Sequence, residues 1–116
     1  DLENPANRQF VKAYQKAYDR MPTLYAAQGY DTARLIGSAL NAVGGNLDDL
    51  EPFKAELRKA RFESVRGNVS FGSNQHPVQD IYIREVIKTE HGFTNKTVKK
   101  VFSNHVDAYA CQCSMP

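Results

Sequence analysis

His76, His91 and His105, with Cys111 and Cys113, are the side chains whose types come nearest to acid–base or nucleophilic chemistry. Histidine titrates near neutral pH, and a thiol close to one can be activated as a nucleophile. His105 lies a few positions before Asp107 and Cys111, so a Cys–His pair can be drawn there. No third group to orient the imidazole and no oxyanion donor accompany it. His76 and His91 each adjoin a turn residue, Pro77 and Gly92 respectively. A Cys111–Cys113 disulfide would be strained, because Cβ atoms two residues apart in a strand point to opposite faces. Zinc would need further ligands at a suitable spacing. One of the two thiols bonding to a cysteine outside this chain stays open, and cysteine usage leaves the redox compartment undecided.

Other polar groups have structural explanations. Asp48, Asp49 and Glu51 stand where a helix begins, so capping and the helix dipole account for them better than a metal does. Gly44-Gly45-Asn46 closes a helix instead of opening one, which excludes a phosphate loop. Asn95-Lys96-Thr97 fits a glycosylation sequon, but its turn-to-strand setting gives it no weight. The expectation is a protein without catalytic residues, metal or cofactor.

The 116 residues are 41% hydrophobic and 24% charged, the composition of one ordinary domain or a piece of one. Fifteen basic against thirteen acidic side chains leave a formal charge of +2. That excess is small and unclustered, and it argues against nucleic acid as a partner. No stretch approaches the roughly 20 apolar residues of a membrane span. The polar opening Asp1-Leu2-Glu3-Asn4 is not a signal peptide, although a mature secreted chain would look the same.

The first half of the chain reads as three helices. Asn4-Pro5 suits a helix start, and Phe10, Val11, Tyr14 and Tyr18 then share a face until Met21-Pro22 ends the segment. A second helix is expected from Thr23 or Leu24 to Val43, with a wide alanine-rich face and Gly44-Gly45 as its stop. A third follows the Asp48-Asp49 cap, with Leu50, Phe53, Leu57 and Ala60 in one stripe. The period then changes to two. Val69 and Phe71 begin a short strand, Gly72 to Pro77 form a turn, and Gln79 to Thr89 read as a long strand. A turn at His91-Gly92 and a strand from Lys96 to Phe102 complete a hairpin. The tail from Asn104 has no clear period. The fold class is therefore α/β, three helices followed by a β-hairpin-rich end. A lone hairpin is marginal in water, and the second helix asks for a larger surface than two or three strands offer. The pattern implies a core shared with strands lying elsewhere.

Several segments, in order, carry a resemblance. They include Asn4-Pro5-Ala6-Asn7, the run Leu24-Tyr25-Ala26-Ala27-Gln28-Gly29-Tyr30-Asp31, and Ala42-Val43-Gly44-Gly45. Ser64-Val65-Arg66-Gly67, Pro77-Val78-Gln79-Asp80, Arg84-Glu85-Val86, Asn95-Lys96-Thr97-Val98 and His105-Val106-Asp107-Ala108-Tyr109-Ala110 continue it. Together these resemble the C-terminal third of the solute-binding proteins of ABC transporters for leucine, isoleucine, valine and related ligands. Such proteins clamp a ligand between two α/β lobes joined by three crossings.

The resemblance implies that residues 1–80 form part of the N-terminal lobe, three helices and a short strand. Residues 81–116 would supply the inter-lobe crossing, the hairpin and the tail. It implies that Tyr25 meets the ligand's side chain at the cleft edge, where a ring with a hydroxyl suits the task. Ala27 and Gln28 would follow at the same edge, while the segments that grip the ligand's carboxylate and amine lie outside this chain. The implied function is periplasmic capture of an amino acid, or another small carboxylate including an aromatic one, for delivery to an ABC permease. The rival expectation is a self-contained interaction domain forming an intertwined homodimer, since an incomplete sheet favours exchange between copies.

Overall fold

The computed structural model describes residues 2–90 and 92–113. The expected turn at His91 and the last three residues of the tail lie outside the described residues. Helix α1 spans Pro5–Tyr18, α2 Leu24–Ala42 and α3 Leu50–Arg58. Strands β1 (Val69–Phe71), β2 (Pro77–Thr89) and β3 (Gly92–His105) follow, and a short 3₁₀ turn covers Ala110–Gln112.

Each helix begins at a side-chain cap. Asn4 Oδ1 accepts the Asn7 amide at 2.7 Å, Thr23 Oγ1 that of Ala26 at 3.3 Å, and Asp49 Oδ1 that of Glu51 at 3.0 Å. These bonds satisfy amides that have no partner inside the helix. The first helix ends earlier than Met21-Pro22 predicts. Asp19 adopts the left-handed conformation (φ 51°, ψ 34°) and closes the helix at Tyr18, its amide bonding to the Gln15 carbonyl at 2.8 Å. The third helix likewise stops before Ala60, which sits at φ 47°.

The sheet is an antiparallel meander in the order β1-β2-β3. Val69 faces Gln79 on one side, and Gln79 faces His105 on the other. Between β2 and β3 the register slips at Gln79/Ile81, Ile81/Tyr82 and Ile83/Arg84 before running evenly to Thr89 and Gly92. The last strand is longer at both ends than the expected Lys96 to Phe102, because pairing with β2 recruits its polar ends into the ladder.

Phe10 joins the first two helices, its ring 4.8 Å from that of Tyr30 and 5.8 Å from that of Tyr14. Ser38 of α2 donates its hydroxyl to the Arg61 carbonyl just beyond α3. Among the described residues, Phe10, Ala39, Ala60 and Val65 are the hydrophobic side chains that reach full burial. Ile83, Val86, Phe93, Val98 and Phe102 on the hairpin stay more than half exposed. The radius of gyration, 16.4 Å, exceeds the roughly 13 Å typical of a compact domain near this length. The apolar faces thus extend well beyond what the chain covers by itself. No described helix is long and apolar enough to cross a membrane.

Candidate functional site

Pro22 and the extended backbone of Thr23 set the start of α2, and Thr23 takes up the amides of Ala26 and Ala27 through its hydroxyl and its carbonyl. The amides of Leu24 and Tyr25 precede these and have no acceptor within the helix. A helix start of this kind carries partial positive charge and suits an anion. Around it stand Met21, 42% exposed, Leu24, 63% exposed, and Tyr25, 80% exposed. Gln28 is also exposed and lies one turn on from Tyr25, so the two share a face. Ala27, two positions from Tyr25, falls on the opposite side of the helix and is half-buried. The geometry therefore brings Tyr25 and Gln28 together and separates Ala27 from them.

Further along the same helix lies a polar junction that the sequence expectations did not include. Asp31 is only 3% exposed. Its carboxylate accepts bonds from Ser64 Oγ at 2.6 Å, the Val65 amide at 3.0 Å and Arg66 Nε at 3.1 Å. A buried carboxylate is costly unless so supplied with donors. Arg66 Nη1 reaches on to Gln79 Oε1 of β2 at 3.1 Å, and Asn4 Nδ2 holds the Val65 carbonyl at 3.1 Å. The start of α1, the first half of α2, the 64–67 loop and the middle strand thus converge on this junction. The signal in the sequence was an aspartate on an otherwise apolar, alanine-rich helix face, and its partners lie more than 30 positions away. Beside this junction a cleft of about 520 Å³ opens between Asn4-Pro5-Ala6 and the Gly67–Ser70 segment. Tyr25, Ala27 and Gln28 do not line it.

Two more carboxylates are held at the hairpin base. The Lys100 ammonium, bonded to Asp80 at 2.5 Å, lowers the Asp80 pKa, helped by the Asn104 amide, and Asp80 in turn raises that of Lys100. Asp107 accepts the Tyr109 amide at 3.0 Å, which lowers its pKa most, with Asn74 at 2.7 Å and His76 at 3.2 Å adding to it. These contacts fasten the tail to the Gly72–His76 turn. His105 packs against Phe102, ring centroids 5.2 Å apart. Cys111 and Cys113 are free and exposed. Among the described residues no group of three or more His, Cys, Asp or Glu side chains is placed to hold a metal.

The fold has counterparts. The periplasmic binding protein family model matches residues 1–91, and the chain belongs to that family, in its branched-chain amino-acid type. The family is a class of binders, not of catalysts. The Leu/Ile/Val-binding protein homolog 6 of Brucella abortus is 32% identical over 101 residues, 84% of this chain and 26% of the relative. A solute-binding protein of an ABC transporter from R. palustris, solved with benzoate, superposes with a TM-score of 0.84 at 30% identity. That match covers 99% of this chain and 31% of the neighbour. A solute-binding protein from Rhodopseudomonas palustris BisB5, solved with 3,4-dihydroxybenzoic acid, gives 0.73 at 32% identity, over 92% of this chain and 29% of the neighbour. The chain spans about a quarter of the length of the curated relatives it matches.

Proposed function

We propose that the protein is the solute-binding component of an ABC transporter, capturing a small carboxylate in the periplasm and presenting it to a membrane permease. The ligand is a Leu/Ile/Val-like amino acid or a small aromatic acid. The superposition at TM-score 0.84 with a benzoate-bound protein is the observation that carries this reading. The two ligand classes named among the relatives share an acid group joined to an apolar body. The start of α2 suits both halves, with unpaired first-turn amides for charge and Tyr25 for apolar contact. Gln28 adds a hydrogen-bonding group on the same face, whereas Ala27 lies behind it and leaves the contact to these two.

In this reading residues 1–80 belong to one lobe, and residues 81–116 form the crossing, the hairpin and the tail. The ligand shifts the population toward a closed form because it contacts both lobes only there, with no covalent step and no cofactor. Titration calorimetry of the intact protein with L-leucine, L-isoleucine, L-valine, benzoate and 3,4-dihydroxybenzoate tests it, with glucose as the neutral control. Saturable binding of one or more acids supports the reading. Binding of none of them, or of glucose equally, sinks it.

A second reading, an interaction domain that dimerises by intertwining, is favoured by the exposed apolar residues of β2 and β3 and by the open edge of β3. Light scattering on the 116-residue chain separates the two. A stable dimer inert to every acid favours the second reading, and a monomer that binds an acid excludes it.

A further inference from the structure

We infer that Asp31, Arg66 and Gln79 form a strut that sets the angle between the helical layer and the β2–β3 hairpin, and thereby the ligand affinity at the α2 end. The inference rests on the reading that the start of α2 meets the ligand, and the three are positioning residues.

Three observations support it. First, the guanidinium of Arg66 is planar and bonds in two directions at once, through Nε to Asp31 and through Nη1 to Gln79, both at 3.1 Å. Such a fork fixes an orientation as well as a distance. Second, Asp31 lies six positions beyond Tyr25 on one continuous helix, about 9 Å along its axis. A tilt of the helix at Asp31 therefore moves Tyr25 and Gln28 as a rigid unit. Third, Gln79 stands where the β2–β3 register first slips. A register slip bends and twists a strand locally, so the strut grips the middle strand where its direction changes. A junction needed for stability alone would not require charge, since a packed apolar core of the same volume often serves as well or better. Directional bonds are what the charged version adds.

The test removes the far end of the strut and leaves the buried carboxylate satisfied. Gln79→Met keeps the side-chain length and the Asp31–Arg66 pair, whereas Gln79→Glu restores an acceptor for Arg66. The intact protein and both variants are titrated with the tightest of the five acids, and hydrogen exchange over residues 77–83 is followed with and without it. The strut predicts an affinity at least about fivefold weaker in Gln79→Met, with its melting temperature little changed, and recovery in Gln79→Glu. It also predicts faster exchange of residues 77–83 in ligand-free Gln79→Met, with that of α2 unchanged. Unchanged affinity and unchanged exchange in the folded Gln79→Met variant overturn the inference. If the unsubstituted protein binds no acid, the functional reading fails, and the ligand-free exchange decides the strut by itself.

Discussion

Replacing Asp31 with alanine would leave the Ser64 hydroxyl, the Val65 amide and the Arg66 guanidinium without their shared acceptor. Removing one partner of a buried ion pair costs about 3–5 kcal/mol, and urea unfolding of Asp31→Ala should show a loss of that size. Tyr25 behaves in the opposite way. Its side chain is 80% exposed, so Tyr25→Ala should alter stability by no more than about 0.5 kcal/mol. The same change should weaken acid binding about tenfold by calorimetry, the loss of one aromatic contact worth about 1.4 kcal/mol. Asp80 and Asp107 set the acid limit of the hairpin base. Their folded pKa values lie below the ordinary carboxylate value, so both add stability above about pH 4 and lose it as pH falls through the folded values. Asp107→Asn should flatten the fall in stability on acidification, measured by urea midpoints across that range. At this scale the sequence was partly legible. Tyr25 and Gln28 as ligand contacts rest on the family resemblance and await the binding test, whereas Asp31 stood out only as an aspartate on an apolar helix face, its partners in the 64–67 loop being beyond the reach of local pattern.

The helices were legible because caps and period agree. Asn4, Thr23 and Asp49 each precede an apolar stripe, and all three accept the expected amide. Thr23→Ala should cost about 1 kcal/mol, and hydrogen exchange should show fraying confined to the first turn of α2. The exit of α1 was misread because Met21-Pro22 is a strong stop signal, while Asp19, a residue that tolerates the left-handed conformation, stops the helix two residues earlier. The third strand was read short because Thr94-Asn95 and Ser103-Asn104 look like turn residues. Partners across the ladder, with Thr94 facing Ile87, decided otherwise. Such pairing is a tertiary fact, which local propensity does not contain.

At the scale of the whole molecule, apolar side chains exceed the surface available to bury them. Tyr25, Val86, Phe93 and Tyr109 are each more than 60% exposed. The 116-residue chain in isolation should therefore bind a hydrophobic dye strongly and associate with rising concentration, seen as a growing mass in light scattering. The sequence had shown this imbalance in the breadth of the second helix's apolar face. It could not show which surfaces remain open, because that depends on how the layers meet.

The meander order of the sheet bears on how quickly the chain assembles. Neighbours in space are mostly neighbours along the chain, so the hairpin and each helix can form from local encounters on microsecond timescales. Exceptions include the bonds from Asp31 to residues 64–66, from Asn74 to Asp107 and from Asn4 to Val65, which close loops of 33 to 61 residues. These ties are expected to lock after the rate-limiting barrier. Destabilising substitutions at Asp31 should accordingly speed unfolding and leave the folding rate nearly untouched, so that the residue acts as a late latch on a quickly built frame.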